Sequence, residues 1–164
     1  MSLDATVSGA SSNSYSTVDG VSALLAERLG AGTDWEDAGE NDQAAACITA
    51  TRRLDQEAYE GCKTSYLQAL QFPRFGIYDQ DDNLYDASAI PPPILLAHAE
   101  LCLALIRDPE LLDDTGLEGF SDLSVGSVAL KMRNQSSGKL PAHVARYLRD
   151  FRTAGDGEVR LVRG

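Results

Sequence analysis

Cysteine, histidine, tryptophan and cationic residues are all scarce in this chain, and each shortage narrows the reading. Three cysteines, Cys47, Cys62 and Cys102, are too few and odd in number for a disulfide framework. They suit reduced thiols in a cytosolic setting. No stretch approaches the roughly 20 apolar residues that cross a bilayer. The first residues, Met1-Ser-Leu-Asp-Ala-Thr, have neither a basic nor an apolar leader region, so neither secretion nor a membrane partner is expected. With only His98 and His143, a histidine-based catalytic triad or zinc centre has few candidate members. The 14 basic residues face 25 acidic ones, for a net charge of −11, which disfavours a simple duplex-DNA binder.

The 164 residues are enough for one ordinary domain, and 43% hydrophobic content supports a folded core. The charge is divided along the chain. Residues 1–123 hold 22 acidic and 6 basic side chains, a net of −16. Residues 124–164 hold 3 acidic and 8 basic ones, a net of +5. Such a chain can attract an oppositely charged partner, including a copy of itself.

Residues 1–15 are rich in Ser, Gly, Ala and Asn without apolar periodicity, and read as a flexible N-terminal arm. Helical patterning begins at Ser16, where Ser16 and Asp19 make a capping pair. Val18, Val21, Leu24, Leu25 and Leu29 then share a face, with Gly30 and Gly32 as stops. A second helix is expected from Asp42 to Tyr59. Its stripe is Ala44, Cys47, Ile48, Thr51, Leu54 and Ala58, with Gly61 as its stop and Trp35 anchoring the corner before it. Pro91-Pro92-Pro93 suit the entry of a third helix reaching Arg107, whose apolar face includes Ile94, His98, Leu101, Cys102 and Leu105. Alternation at Val128, Leu130 and Met132, with Gly126-Ser127 as a turn, gives a β element near 123–134. A last helix starts near Pro141. The expected fold is mainly α: a small helical bundle with a minor β-hairpin and extended termini. The domain runs over 16–151, and 152–164 form a C-terminal tail.

Candidate chemistry is thin. Asp79-x-Asp81-x-Asn83 opens like a calcium loop, but Leu84 and Ile90 replace the glycine and glutamate that such a loop needs, leaving a polar turn. His98 and Cys102 are four apart on a helix and read as a core histidine beside a core thiol. Ser136-Ser-Gly138-Lys139 lacks the rest of a phosphate loop. No catalytic residue, metal ligand or cofactor is assigned, and an enzyme is not expected. The most distinctive local motif is Phe72-Pro73-Arg74-Phe75-Gly76. Its Arg could stack on a base or grip a phosphate, or pair with a carboxylate such as Asp55 and pin the loop. The loop-fixing role of Phe72, Pro73, Arg74 and Gly76 is favoured.

In order and spacing, several motifs together resemble a known family. They are Trp35, Ala44-Ala-Ala-Cys-Ile-Thr-Ala-Thr51-Arg-Arg-Leu54-Asp55, Tyr59-Glu-Gly61, Gln68-Ala-Leu-Gln-Phe-Pro73-Arg74-Phe-Gly76, Asp79-x-Asp81 and Ile90-Pro91. Over residues 16–151 they are similar to head-to-tail connector (adaptor) proteins of tailed phages, many of which carry a DnaT-like single-stranded-DNA-binding label. Phe72 stands where that family usually has Trp. The resemblance implies a helical protein forming a homo-oligomeric ring, commonly of twelve copies, beneath the portal protein. Such a ring extends the channel for double-stranded DNA, docks a tail or nozzle protein, is assembled in the host cytoplasm and resides in the virion. The label implies an alternative, a single-stranded-DNA-binding replication protein. In the tail, Arg152, Arg160, Leu161 and Arg163 are candidate contacts with portal or a neighbouring subunit, and residues 155–164 read equally as a strand that orders on assembly or as a disordered end.

Overall fold

The computed structural model describes residues 2–31, 33–113, the strands at 123–125 and 128–130, and 140–153. The helices are α1 (Val18–Ala26), α2 (Asp34–Asp37), α3 (Glu40–Leu54), α4 (Pro92–Arg107) and α5 (Ala142–Tyr147). Two antiparallel strand pairs accompany them: β1 (Cys62–Lys63) with β2 (Arg74–Phe75), and β3 (Leu123–Val125) with β4 (Val128–Leu130). The protein is therefore mainly helical with small antiparallel β elements. The register Leu123↔Leu130 to Val125↔Val128 gives the β element that the alternation indicated, and the expected turn at Gly126-Ser127 lies outside the described residues. No helix among the described residues is long and apolar enough to cross a membrane.

The fold is organised around α4, which carries apolar residues on most of its circumference. Ile94, Ala97, Ala99, Leu101, Cys102, Leu103 and Leu105 are all buried. Helices α1, α2, α3 and α5 pack around it. Pro92 and Pro93 sit in its first turn, where a missing amide leaves no helical hydrogen bond unmade. Helix α3 offers small residues, Ala46 and Ala50, at the contact, so the two backbones approach closely. Trp35 in α2 is buried and donates its indole N–H to Ser22 Oγ at 2.9 Å, fixing the corner between α1 and α3. Val144, Leu148 and Phe151 attach the C-terminal helical segment to the same core.

Several boundaries differ from the sequence expectation. Thr17, not Ser16, caps α1, its side chain accepting from Gly20 N. Helix α3 starts at Glu40 and stops at Leu54, short of Tyr59, and Ala58 is exposed. Gly61 is no helix stop. It has φ +69°, and a Cβ there would lie 2.3 Å from Phe75 O, so the position serves the close approach of β1 to β2.

The N-terminal arm is not a loose appendage. Ser12, Ser14 and Tyr15 are buried. Asp4 folds the segment on itself, its carbonyl accepting from Asn13 N and Ser14 N. Gly9 O accepts from Ala69 N at 3.0 Å, and Tyr15 N donates to Thr51 Oγ1 at 3.1 Å. Composition suggested flexibility because the segment's apolar residues, Leu3, Val7 and Tyr15, are few and follow no period. The side chains of Ser12, Asn13 and Ser14 are spent on backbone groups.

Candidate functional site

The Phe72–Gly76 motif lies in a loop scaffold that begins where α3 ends. Gln68 is buried and ties both sides of the loop: its amide donates to Leu70 O at 2.9 Å and Pro73 O at 3.0 Å, and its carbonyl oxygen accepts from Ser65 N. The Phe72–Pro73 peptide is cis. Phe72 is buried and meets Tyr59, Tyr15 and Phe151 edge-on, with centroid separations of 4.8, 6.2 and 5.8 Å. Gly76, with φ +81°, lets the chain leave β2 towards buried Ile77.

Arg74 does not pair with Asp55. Its guanidinium donates to four carbonyls and one side-chain amide: Glu60 O (2.7 Å), Gly61 O (2.7 Å), Tyr59 O (3.2 Å), Gln71 O (3.4 Å) and Gln71 Oε1 (2.8 Å). Five N–H donors in a fixed fork can serve this many carbonyls. Asp55 instead accepts from the Tyr15 hydroxyl and from Gln71 N. Burial pushes the Asp55 carboxyl up from its ordinary value, against these hydrogen bonds. Burial and the neighbouring Asp55 charge push the Tyr15 phenol well up. Thus Phe72 and the Arg74 guanidinium are both engaged within the fold.

What this scaffold presents outward is apolar. Tyr66 (93% exposed), Leu67, Phe75, Tyr78 and Leu84 are all exposed. Around them the turn at 79–83 is acidic. Asp79 Oδ1 accepts from Asp81 N and Asn83 N, which holds the Asp79 carboxyl below the usual range and makes this a polar turn. The segment 62–84 has two cations, Lys63 and Arg74. Lys63 Nζ reaches Ala69 O at 3.2 Å, so both already hold backbone carbonyls.

A second feature is an open groove of about 790 Å³ where α2, the start of α3 and the end of α4 meet. Its floor includes Ala45, Ala46, Leu105, Ile106 and Pro109, and Asp34, Asp37 and Asp42 line its rim. Arg107 Nε pairs with Asp34 at 2.7 Å and also donates to Gly30 O and Ala31 O. Asp37 and Asp42 form no ion pair among the described residues.

The third cluster lies in the core. Cys47, His98 and Cys102 bring three donor atoms within 4.8 Å of one another. His98 Nε2 is 3.0 Å from Cys47 O. Cys102 Sγ stands 3.7 Å from Nε2 and 4.0 Å from Nδ1. Near-equal separations put the sulfur off both nitrogen lone-pair axes, so the direct contact between Cys102 and His98 is a weak one. Burial holds His98 down at about 4, so the imidazole is neutral, and pushes the Cys102 thiol well up. The hydrogen bond with Cys102 lowers Cys47. The pairing of His98 with Cys102 was legible from their spacing. Cys47 was missed as a third member, although its place on the buried stripe of α3 was the available signal.

In the tail, Arg152 belongs to the body. It forms a β-bridge with Tyr59 and an ion pair with Glu57. The bridge and the ion pair hold Arg152 beside the buried Phe151, with its side chain still partly exposed. Arg160, Leu161 and Arg163 lie outside the described residues.

A family model described as "Putative DnaT-like ssDNA binding protein" matches residues 1–164. The chain belongs to this family. The match to the DnaT-like family takes in the arm, the Arg74 scaffold, the groove and the tail alike. No curated protein and no solved structure matches the chain.

Proposed function

We propose that this DnaT-like family member is a non-enzymatic structural adaptor of the head-to-tail connector kind. Copies form a ring, of about twelve by the resemblance, beneath the portal protein of a tailed phage. The ring extends the channel for double-stranded DNA without sequence-specific binding and docks a tail or nozzle protein. The protein is assembled in the host cytoplasm and resides in the virion. One observation carries this reading. The motif best suited to hold nucleic acid is spent internally, and the loop it builds presents exposed apolar side chains on an acidic surface. Such a surface suits protein contacts and repels phosphates, and an acidic channel wall lets DNA slide.

A second reading, single-stranded-DNA binding, is favoured by the family's name and by three exposed aromatics, Tyr66, Phe75 and Tyr78, that could stack on bases. Within the segment 62–84 no cation is left to go with them, since Lys63 and Arg74 are engaged and Asp79, Asp81 and Asp82 are near in sequence. Electron microscopy of particles labelled on this protein tests the adaptor reading: density between portal and tail is expected, and absence from mature particles would contradict it. An oligonucleotide titration at low salt separates the readings. The adaptor should show no binding, whereas a replication factor should bind and lose affinity steeply with salt.

A further inference from the structure

The groove between α2, α3 and α4 combines an apolar floor with two exposed carboxylates, Asp37 and Asp42, that have no cationic partner among the described residues. Elsewhere in the same chain lies a segment of complementary chemistry. Val159-Arg160-Leu161-Val162-Arg163 carries two cations around apolar side chains, in a region of net +5 against −16 for residues 1–123.

We propose that the groove receives residues 159–163 of a second copy of this chain, with Arg160 and Arg163 at Asp37 and Asp42 and Leu161 on the floor of Ala45, Leu105 and Ile106. In an extended peptide, residues three apart stand about 9 Å apart, at about 3.1 Å per residue, with the apolar pair between them. An apolar floor gives such an extended peptide affinity, and the paired charges fix its register.

Geometry favours a second copy over the chain's own end. Thr153 N donates to Ala58 O at 3.1 Å, beyond the C-terminal end of α3. Asp37 and Asp42 lie at the opposite end. The 15 residues of α3 span about 22 Å at 1.5 Å per residue. Six residues from Thr153 to Val159 span at most about 22 Å, so the chain's own tail would arrive only when pulled straight. A neighbour's tail meets no such constraint. Donor and acceptor at opposite ends of one helix make a head-to-tail contact, and such contacts close into rings when the rotation allows. One short strand binds weakly alone, but ring closure makes each contact intramolecular and reinforces it. The proposal deepens the adaptor reading and rests on it only for the purpose of the ring.

Two full-length variants test it by sedimentation and light scattering. Asp37→Arg/Asp42→Arg spoils the groove and leaves the tail intact. Arg160→Asp/Arg163→Asp spoils the tail and leaves the groove. The wild-type chain should self-associate at low salt and dissociate at least tenfold more readily at about 0.5 M salt, where the Debye length is only a few ångströms. Each variant alone should remain monomeric. An equimolar mixture should associate as far as wild type does, with the two variants alternating, because the unaltered tail fits the unaltered groove and the charge-reversed tail fits the charge-reversed groove. A chain carrying all four changes should recover self-association, which also shows that the altered surfaces still fold. Wild-type monomers at every concentration, variants that associate like wild type, or a mixture that stays monomeric would each overturn the proposal. Association that survives in both variants would overturn this contact and leave the adaptor reading standing. The expected complementation in a protein absent from virions would do the reverse.

Discussion

Arg74 is the residue on which the loop scaffold depends. Arg74→Ala removes the donors of five hydrogen bonds, among them those to the partly buried carbonyls of Tyr59 and Gln71. We expect a loss of about 1–3 kcal/mol in denaturant unfolding, and little rescue by Arg74→Lys, whose single ammonium cannot reach the same set. Gly61→Ala should cost a comparable about 1–3 kcal/mol, since it meets both a positive φ and the Phe75 carbonyl. His98 makes stability depend on pH. Its folded value of about 4 lies below the usual 6.5, so the unfolded chain takes up the proton more readily. Its contribution is complete above pH 6.5 and is lost as pH falls towards 4, reaching about 3 kcal/mol at about 1.4 kcal/mol per pH unit. Asp55 acts in the opposite sense near and above its ordinary value, because its folded value is raised. Melting curves of wild type and His98→Gln should therefore be compared between pH 6.5 and 5, where the wild type should lose stability more steeply. Parallel pH profiles would show that His98 is not the titrating group.

The N-terminal arm is the element that sequence reasoning placed least well, and it gives a sharp test. Tyr15 meets Phe72 and His98 edge-on and donates its hydroxyl to Asp55. Tyr15→Ala should cost about 3–5 kcal/mol, as for other buried aromatics, whereas a loose arm would tolerate it. The helices were legible because their apolar residues repeat at helical spacing: Ile94, His98, Leu101, Cys102 and Leu105 are all buried on α4. The β3–β4 pair was legible from the alternation at Val128 and Leu130. Helix ends were less so, since Gly61 looks like a stop in sequence and serves β1–β2 packing in space. The loop-fixing part of the site could be read from Pro73 and Gly76. The partners of Arg74 could not, because they are backbone carbonyls and carry no sequence signature. The groove was invisible for a similar reason: it joins Asp37 and Asp42 to Leu105 and Ile106, residues more than 60 positions apart.

At the scale of the whole molecule, charge and exposure argue together. The acidic 1–123 segment disfavours phosphate binding, the exposed apolar rim at Tyr66, Leu67 and Phe75 invites protein contact, and the basic tail supplies a complement. The central claim is that this chain assembles on a portal and does not serve as a single-stranded-DNA binder. Native mass measurement of the full-length protein tests it most directly, with portal protein and, separately, with a long single-stranded oligonucleotide at low salt. The account predicts a discrete ring of this chain bound to the portal and no complex with the oligonucleotide. A stable oligonucleotide complex, with the protein remaining unbound beside the portal, would contradict it.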